Sequence, residues 1–281
     1  MKTQLQLWLR ATRSRWSRKL LGPHVQALIV QSGDMRYAVD PQDYGVGRRL
    51  RKDGHYGLDE VQSFSPYLTP DSRVLVVGAH IGTLALPLAR MCKEVVAIEA
   101  NPHTFALLQT NVLLNGIANC RVLNIAASNR EEDLQFLLNR ANSGGSKRLP
   151  QETDFRYTFD QPEQITVKAH ALDDYLAQDS FDFVFMDIEG SEYFALAGMP
   201  RLLTTCKTLV VEFIPHHLAK VSGVTAEQFA QPLLAFDSMR VPSKGLTVRR
   251  DQMVATLAQM VTNDESDAGL IFVRGGSRVG V

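Results

Sequence analysis

The chain has 281 residues, 45% of them hydrophobic, and no formal net charge. That length and apolar content suit one large α/β domain with an N-terminal extension, able to bury a full core without disulfides or metals. The neutral balance gives the molecule no overall attraction to nucleic acid, and no stretch reaches the roughly 18 apolar residues of a membrane-spanning helix. Cys92, Cys120 and Cys206 are widely spaced, lie in apolar runs and form no C-x-x-C pair. They read as buried thiols in a reducing, cytoplasmic compartment, not as a disulfide framework or a zinc site.

Residues 1–22 are expected to be helical, with Leu5, Trp8, Leu9, Trp16 and Leu20 able to share one face. Lys2, Arg10, Arg13, Arg15, Arg18 and Lys19 all precede Asp34, the first acidic residue. The preferred reading is a cap on the domain with solvated arginines; peripheral contact with an anionic membrane is the second, and a transit peptide the third. Arginines interrupt every apolar run before Leu20, so no clean signal peptide is expected. Residues 25–50 carry one or two strands, and 56–68 a helix with Leu58, Val61 and Phe64 on one face. We take 1–55 as an accessory segment and 56–281 as the main domain.

The main pattern opens with Arg73 to Val77, a continuously apolar strand of the kind covered on both faces. A turn at 78–82 leads to a helix at 83–91, a strand at 95–98, a helix at 103–114 and a strand at 122–126. Pro102 opens the second helix and Gly116 ends it. This βαβαβ order predicts parallel pairing with right-handed crossovers. Further strands are expected at 134–138, 165–169, 181–186, 208–213 and 270–273, with helices at 193–203, 226–235 and 251–260. Residues 139–164 are polar and contain Ser143-Gly144-Gly145-Ser146, so they read as disordered or as a closing loop. The predicted architecture is an α/β, Rossmann-like seven-stranded mixed sheet with helices on both faces and the last strand antiparallel.

In such sheets ligands bind beyond the carboxyl ends of the strands. Those ends carry Gly78-Ala79-His80-Ile81-Gly82, Glu99-Ala100-Asn101, Ala126-Ala127-Ser128, Asp187-Ile188-Glu189-Gly190 and Glu212. Glycines let a ligand approach the backbone, a carboxylate after the second strand can accept from both ribose hydroxyls, and small residues after the third leave a slot for adenine. The G-x-G-x-x-G of dinucleotide sites is absent, since His80 stands at the intermediate position. A ligand without a diphosphate is favoured, and S-adenosyl-L-methionine is one. Asp187 is the first candidate base and Glu189 the second, while Gly78, Ala79, His80, Gly82, Glu99, Ala100, Asn101, Ala127, Ser128 and Asp187 are the candidate cofactor contacts. Helix capping is the plain alternative for Asp187. Glu212 with His216 and His217 is a weaker acid/base candidate. Three carboxylates offer hard oxygen ligands, but a divalent cation is not among the predicted cofactors.

Several of these segments resemble the FkbM family of methyltransferases. Val-Gly-Ala-His-Ile-Gly (77–82) is similar to its first motif, and Ile98-Glu99-Ala100-Asn101-Pro102 to its second. Asn111 to Gly116, Ala126-Ala127-Ser128, Asn142 to Ser146 and Leu172-Asp173-Asp174 also match family segments. The closest match is Phe181 to Glu192, which contains Met-Asp-Ile-Glu-Gly-Ser-Glu (186–192). With the lead-in segments Asp40 to Asp43 and Gly54 to Glu60, the resemblance spans roughly 34–215. It departs at Val76, where the family has an acid that holds the methionine end of the cofactor, and at His80, where it has Asn. The resemblance implies O-methylation of a hydroxyl on a sugar, glycolipid or polyketide-like acceptor; on the neutral charge balance, nucleic acid is not expected as a partner. N-methylation on the same fold and a non-catalytic binding module are the alternatives, and oligomeric state is not read from the sequence.

Overall fold

The computed structural model describes residues 4–275, so residues 1–3 of the expected first helix, including Lys2, lie outside the described part. The first helix, α1, spans Gln4–Leu21. A hairpin of β1 (Leu28–Ser32) and β2 (Met35–Val39) follows, and then α2 (Val46–Asp53) and α3 (Leu58–Phe64). Helix α2 lies in a segment read from sequence as strand-bearing; its Gly-Arg-Arg-Leu-Arg-Lys run has one apolar residue per turn, and Gly54 ends it in the left-handed conformation (φ 73°).

The main sheet is built from β3 (Arg73–Val77), β4 (Glu94–Ile98) and β5 (Cys120–Leu123), with helices α4 (Ala85–Ala89) and α5 (Pro102–Leu114) as crossovers. Strands β6 (Ala126–Ser128), β7 (Glu132–Leu138), β8 (Lys147–Arg148) and β9 (Glu163–Ala171) form a second, four-stranded sheet in the order β6-β9-β7-β8. The chain then returns to the main sheet with β10 (Phe183–Met186), β11 (Thr208–Phe213), β12 (Ser238–Val241), β13 (Leu246–Arg249) and β14 (Asp267–Val273). The main-sheet order is β13-β12-β14-β11-β10-β3-β4-β5. Strands β5, β4, β3, β10 and β11 are mutually parallel, and β14 runs antiparallel to β11.

Four expectations need correction. The main sheet has eight strands, because β12 and β13 form a hairpin across 242–245 that the short Ser-Met-Arg-Val run did not reveal. The strands at 134–138 and 165–169 pair in the second sheet. The expected third strand breaks after Leu123, where Asn124 donates its side-chain amide to the carbonyls of Glu99 and Ala100 and turns the chain into that second sheet. The single helix expected at 193–203 is two, Glu192–Ala197 and Pro200–Thr205, because Pro200 cannot continue the first and starts the second.

The parallel strands read as uninterrupted apolar runs because both faces are covered. One layer holds Val77, Ile98, Val184, Val211 and Met253. The other holds Val74, Val76, Leu86, Leu108 and Phe185, and Met35, Tyr37, Val39 and Leu50 of the N-terminal segment share it. Asn111 stitches that segment to the sheet: its Oδ1 accepts from the Ala38 amide, and its Nδ2 donates to the carbonyls of Ala38 and Ile81. The three cysteines are free, with Cys92 and Cys206 buried and Cys120 half-buried.

Candidate active site

From β3 the chain steps out to β4 and β5 in one direction, then crosses back to lay down β10 and β11 on the other side. The topological switch point therefore lies between β3 and β10, where open α/β sheets bind ligands. Gly78 and Asp187 meet there. The Asp187 amide donates to the Val77 carbonyl (3.0 Å). A Cβ on Gly78, whose φ is +89°, would stand 1.8 Å from the Asp187 carbonyl oxygen, so only glycine fits this crossing.

A cavity of about 340 Å³ opens over this point. Gly78, Ala79, His80, Glu99, Ala100, Ala127, Asp187 and Glu189 line it. The other three candidate residues stand back. Gly82 is packed against Leu86 and Leu108, whose side chains a Cβ would strike. Asn101 caps α5 by accepting from the amides of His103 and Thr104. Ser128 is fully buried and donates to Glu132 Oε1 (2.7 Å).

Glu99 is held by two backbone amides, His80 to Oε2 and Asn101 to Oε1, both at 2.8 Å. Burial pushes its carboxyl up to about 7, against the lowering effect of those amides. The apolar part of the wall beside it comes from Ile98, Ala100, Ile125, Ala126, Ala127, Leu134 and Phe136. His80 sits at φ 51°, with its Nε2 2.7 Å from Ser143 Oγ, which in turn donates to Asp43 Oδ2 (3.1 Å). That chain makes Nε2 the protonated nitrogen, and leaves Nδ1 a buried acceptor with no protein partner. Burial lowers the His80 pKa, so the ring is neutral. The Gly/Ser segment is thus folded as part of the cavity wall, with the Tyr44 amide donating to the Ala141 carbonyl at its base.

At the other end the charges crowd. Among the described residues, Asp187, Glu192 and Glu212 place carboxylate oxygens within 4.8 Å of one another. Burial first, and then their neighbours' charge, raises Asp187 and Glu212 well above the usual carboxylate range. Glu192, raised to about 7 by burial, accepts from the Ile188 and Gly190 amides. Lys147 supplies the counter-charge. It is 4% exposed, lies 2.9 Å from Glu189 Oε2 and 3.4 Å from His217 Nε2, and sits over the Tyr157 ring at 4.7 Å. His217, held neutral by burial, turns Nδ1 toward Glu212 Oε2 at 3.7 Å. His216 is bonded to the Tyr157 hydroxyl (2.8 Å) and is lowered to about 4 by burial. Lys147, Tyr157, His216 and His217 border a second cavity of about 350 Å³ that shares Glu189 and Asn142 with the first.

A family model described as "Methyltransferase FkbM domain" matches residues 77–238, more than half of the chain. The chain belongs to the FkbM methyltransferase family. Among curated relatives, this FkbM methyltransferase is 24% identical over 164 residues to the 2-O-methyltransferase NoeI of Sinorhizobium fredii, covering 53% of the chain and 66% of that protein. It is 38% identical over 78 residues to a probable ribosomal RNA small subunit methyltransferase A of Methanothermobacter thermautotrophicus, covering 26% of the chain but 29% of that protein. The chain thus spans under a third of the latter relative. Solved structures with similar topology include an FkbM methyltransferase from Methylobacillus flagellatus (16% identity, TM-score 0.40, 73% of this chain and 44% of that one) and a putative transferase from Pyrococcus horikoshii (15%, 0.41, 79% and 70%).

The departure from the family pattern at Val76 takes a physical form in the FkbM fold. Val76 is fully buried and faces the layer with Leu86 and Phe185, while Val77 faces the cavity. A different carboxylate reaches the cavity from outside the sheet. Glu60, on α3, lines it together with Tyr56. Sequence reasoning did not single out Glu60, Tyr56, Lys147 or Tyr157. Glu60 lay inside the matched lead-in, which was a usable signal. Nothing local distinguishes Lys147 from a solvated lysine in a polar loop.

Proposed function

We propose that the chain is an S-adenosylmethionine-dependent methyltransferase that methylates a hydroxyl group of a small-molecule or glycan acceptor. One observation carries the cofactor reading. The first cavity sits at the switch point and, among the described residues, is lined by Glu60, Glu99, Asp187, Glu189 and Glu212 with no lysine or arginine. Such a wall suits a cationic ligand and opposes a diphosphate.

Bound S-adenosylmethionine supplies a methyl group made electrophilic by its sulfonium. Glu99, fixed by the His80 and Asn101 amides, would accept from the ribose hydroxyls. The alanines at 100, 126 and 127 with Ile98 and Phe136 offer an apolar slot for adenine. Glu60 and Tyr56 supply polar groups for the methionine end, in place of the acid that Val76 lacks. Asp187 would take the proton that the acceptor hydroxyl gives up on being methylated. Alignment of acceptor and methyl contributes much of the rest. The second cavity, bordered by Tyr157, Lys147 and the two histidines, is the proposed acceptor side.

The reading is tested by calorimetric titration with S-adenosylmethionine. Wild type is expected to bind, and Glu99→Ala to weaken binding about a hundredfold, the value of two hydrogen bonds to a charged group. No binding by folded wild type would overturn the enzyme reading in favour of a non-catalytic module. Transfer of a labelled methyl group to panels of sugars, glycolipids and amines then separates O- from N-methylation.

A pH dependence accompanies this. Glu99 has a free-state pKa of about 7, and donation by ribose hydroxyls favours its ionised form. The bound-state pKa is therefore lower, so affinity rises with pH up to about 7 and levels off above it. Glu99 contributes about tenfold per pH unit on that limb. In Glu99→Gln the slope of log affinity against pH should fall by about one; an unchanged slope would remove Glu99 from the proton count.

A further inference from the structure

Helix α1 is attached by the face opposite to its apolar one. Leu7, Ala11 and Ser14 are buried, Ser14 and Ser17 donate to the carbonyls of Gln42 (2.7 Å) and Pro41 (2.8 Å), and Arg18 donates to those of Pro23 and Val25. This leaves Leu5, Trp8, Trp16 and Leu20 outward, 65%, 54%, 59% and 82% exposed. At 100° per residue these four and the partly covered Leu9 occupy an arc of about 120°. Arg13, Arg15 and Lys19 are exposed within or beside that arc, and Lys19 Nζ lies 5.4 Å over the Trp16 ring. No acidic residue precedes Asp34 in the chain; in the fold Asp160 borders a shallow pocket with Arg15 on the flank of the helix. Arg10, on the inward side of the helix, lies within the field of Arg48 and Arg49 but also of Asp43 and Asp160, so the uncompensated charge is that of the outward face.

We propose that this face of α1 lies in the headgroup region of an anionic lipid bilayer, with Trp8, Trp16 and the leucines entering the acyl boundary and Arg13, Arg15 and Lys19 pairing with lipid phosphates. Two indoles and three leucines on one face would be costly to leave in water, and the interface is where an indole with one polar edge and a long-stemmed cation both find partners. The helix is anchored to the body by its own side-chain bonds, so the face is presented ready-formed. A nucleic-acid surface would use the same cations but has no use for the leucines. Through Leu7 and Arg10 the same helix lines the second cavity, so a docked molecule holds that cavity about one helix diameter, ~10 Å, from the headgroups.

The protein has only two tryptophans, both on this face, which makes intrinsic fluorescence a direct probe. With vesicles of phosphatidylcholine containing phosphatidylglycerol, the emission is expected to shift to the blue, brominated acyl chains to quench it, and the protein to float; pure phosphatidylcholine should do much less. Each cation near an anionic surface contributes roughly fivefold to partitioning. The triple variant Arg13→Gln, Arg15→Gln, Lys19→Gln should therefore lose about a hundredfold, with its circular dichroism unchanged. Trp8→Ala with Trp16→Ala should also cease to float. Emission that ignores anionic vesicles overturns the proposal. So does a blue shift that grows with protein concentration without lipid, which would make the face a contact between copies of this chain. A shift produced by RNA oligonucleotides and not by vesicles would assign it to nucleic acid instead.

Discussion

Asp187→Asn is expected to lower the rate of methyl transfer by about 10²- to 10⁴-fold, while S-adenosylmethionine binds within roughly tenfold of wild type. The substitution keeps the size and the backbone bond to Val77 but removes the only group at the switch point proposed to take the acceptor's proton. Burial and the charge of Glu189 and Glu192 hold the Asp187 carboxyl well above the usual range. A base acts only when ionised, so the wild-type rate should climb with pH above the ordinary carboxylate range, and that limb should disappear in the variant. Initial rates of labelled methyl transfer from pH 5.5 to 9, with parallel calorimetry, provide the check. If binding falls as far as the rate, Asp187 is a cofactor contact and not a base. If neither changes, the proton goes elsewhere and Glu189→Gln becomes the next variant.

The largest stability effect is expected from Lys147→Met. The ammonium is buried and faces Glu189, with Asp187 and Glu212 also within its field. Methionine fills similar volume but leaves those carboxylates without a cation. Removing one partner of a buried pair costs about 3–5 kcal/mol, which for a chain of this size lowers the melting temperature on the order of 10 °C. The sign of the pH dependence follows from the direction of the shifts. Asp187, Glu192 and Glu212 already titrate above their unfolded values, so their protonated forms favour the folded state and stability is lost as pH rises through the folded pKa. Without Lys147 the Asp187 and Glu212 carboxyls are raised further. The deficit against wild type should therefore grow from about pH 5 to pH 8 in thermal melts. A constant deficit would mean that lost packing on Tyr157, rather than charge, is responsible.

Where the sequence was readable, the reason was local. The runs Arg73–Val77, Phe183–Met186 and Thr208–Phe213 have to be doubly covered strands, because so many consecutive apolar residues leave no face for water. Their order, with crossovers between, places Gly78, Glu99 and Asp187 at one edge, and the cavity found there is lined by all three. Parallel topology carries every such strand end to the same side, so spacing in the chain becomes proximity in space.

What escaped the sequence depends on partners far along the chain. Strands β7 and β9 announce themselves by pattern, but alternation does not state which sheet they join; that was decided by the turn at Asn124. The polar segment 139–164 looked unstructured because its partners, Asp43, His80, Glu189 and Tyr157's neighbour His216, are remote in sequence. The outward face of α1 is the sharpest case. The chain by itself determined that Leu5, Trp8, Trp16 and Leu20 share one side of a helix, since 3.6 residues per turn is a property of the backbone. Which side meets the protein was decided only by tertiary structure, where Ser14 and Ser17 donate to the distant carbonyls of Gln42 and Pro41. Helical period follows from local geometry, whereas the docking of a face depends on which distant groups are left to pair with it.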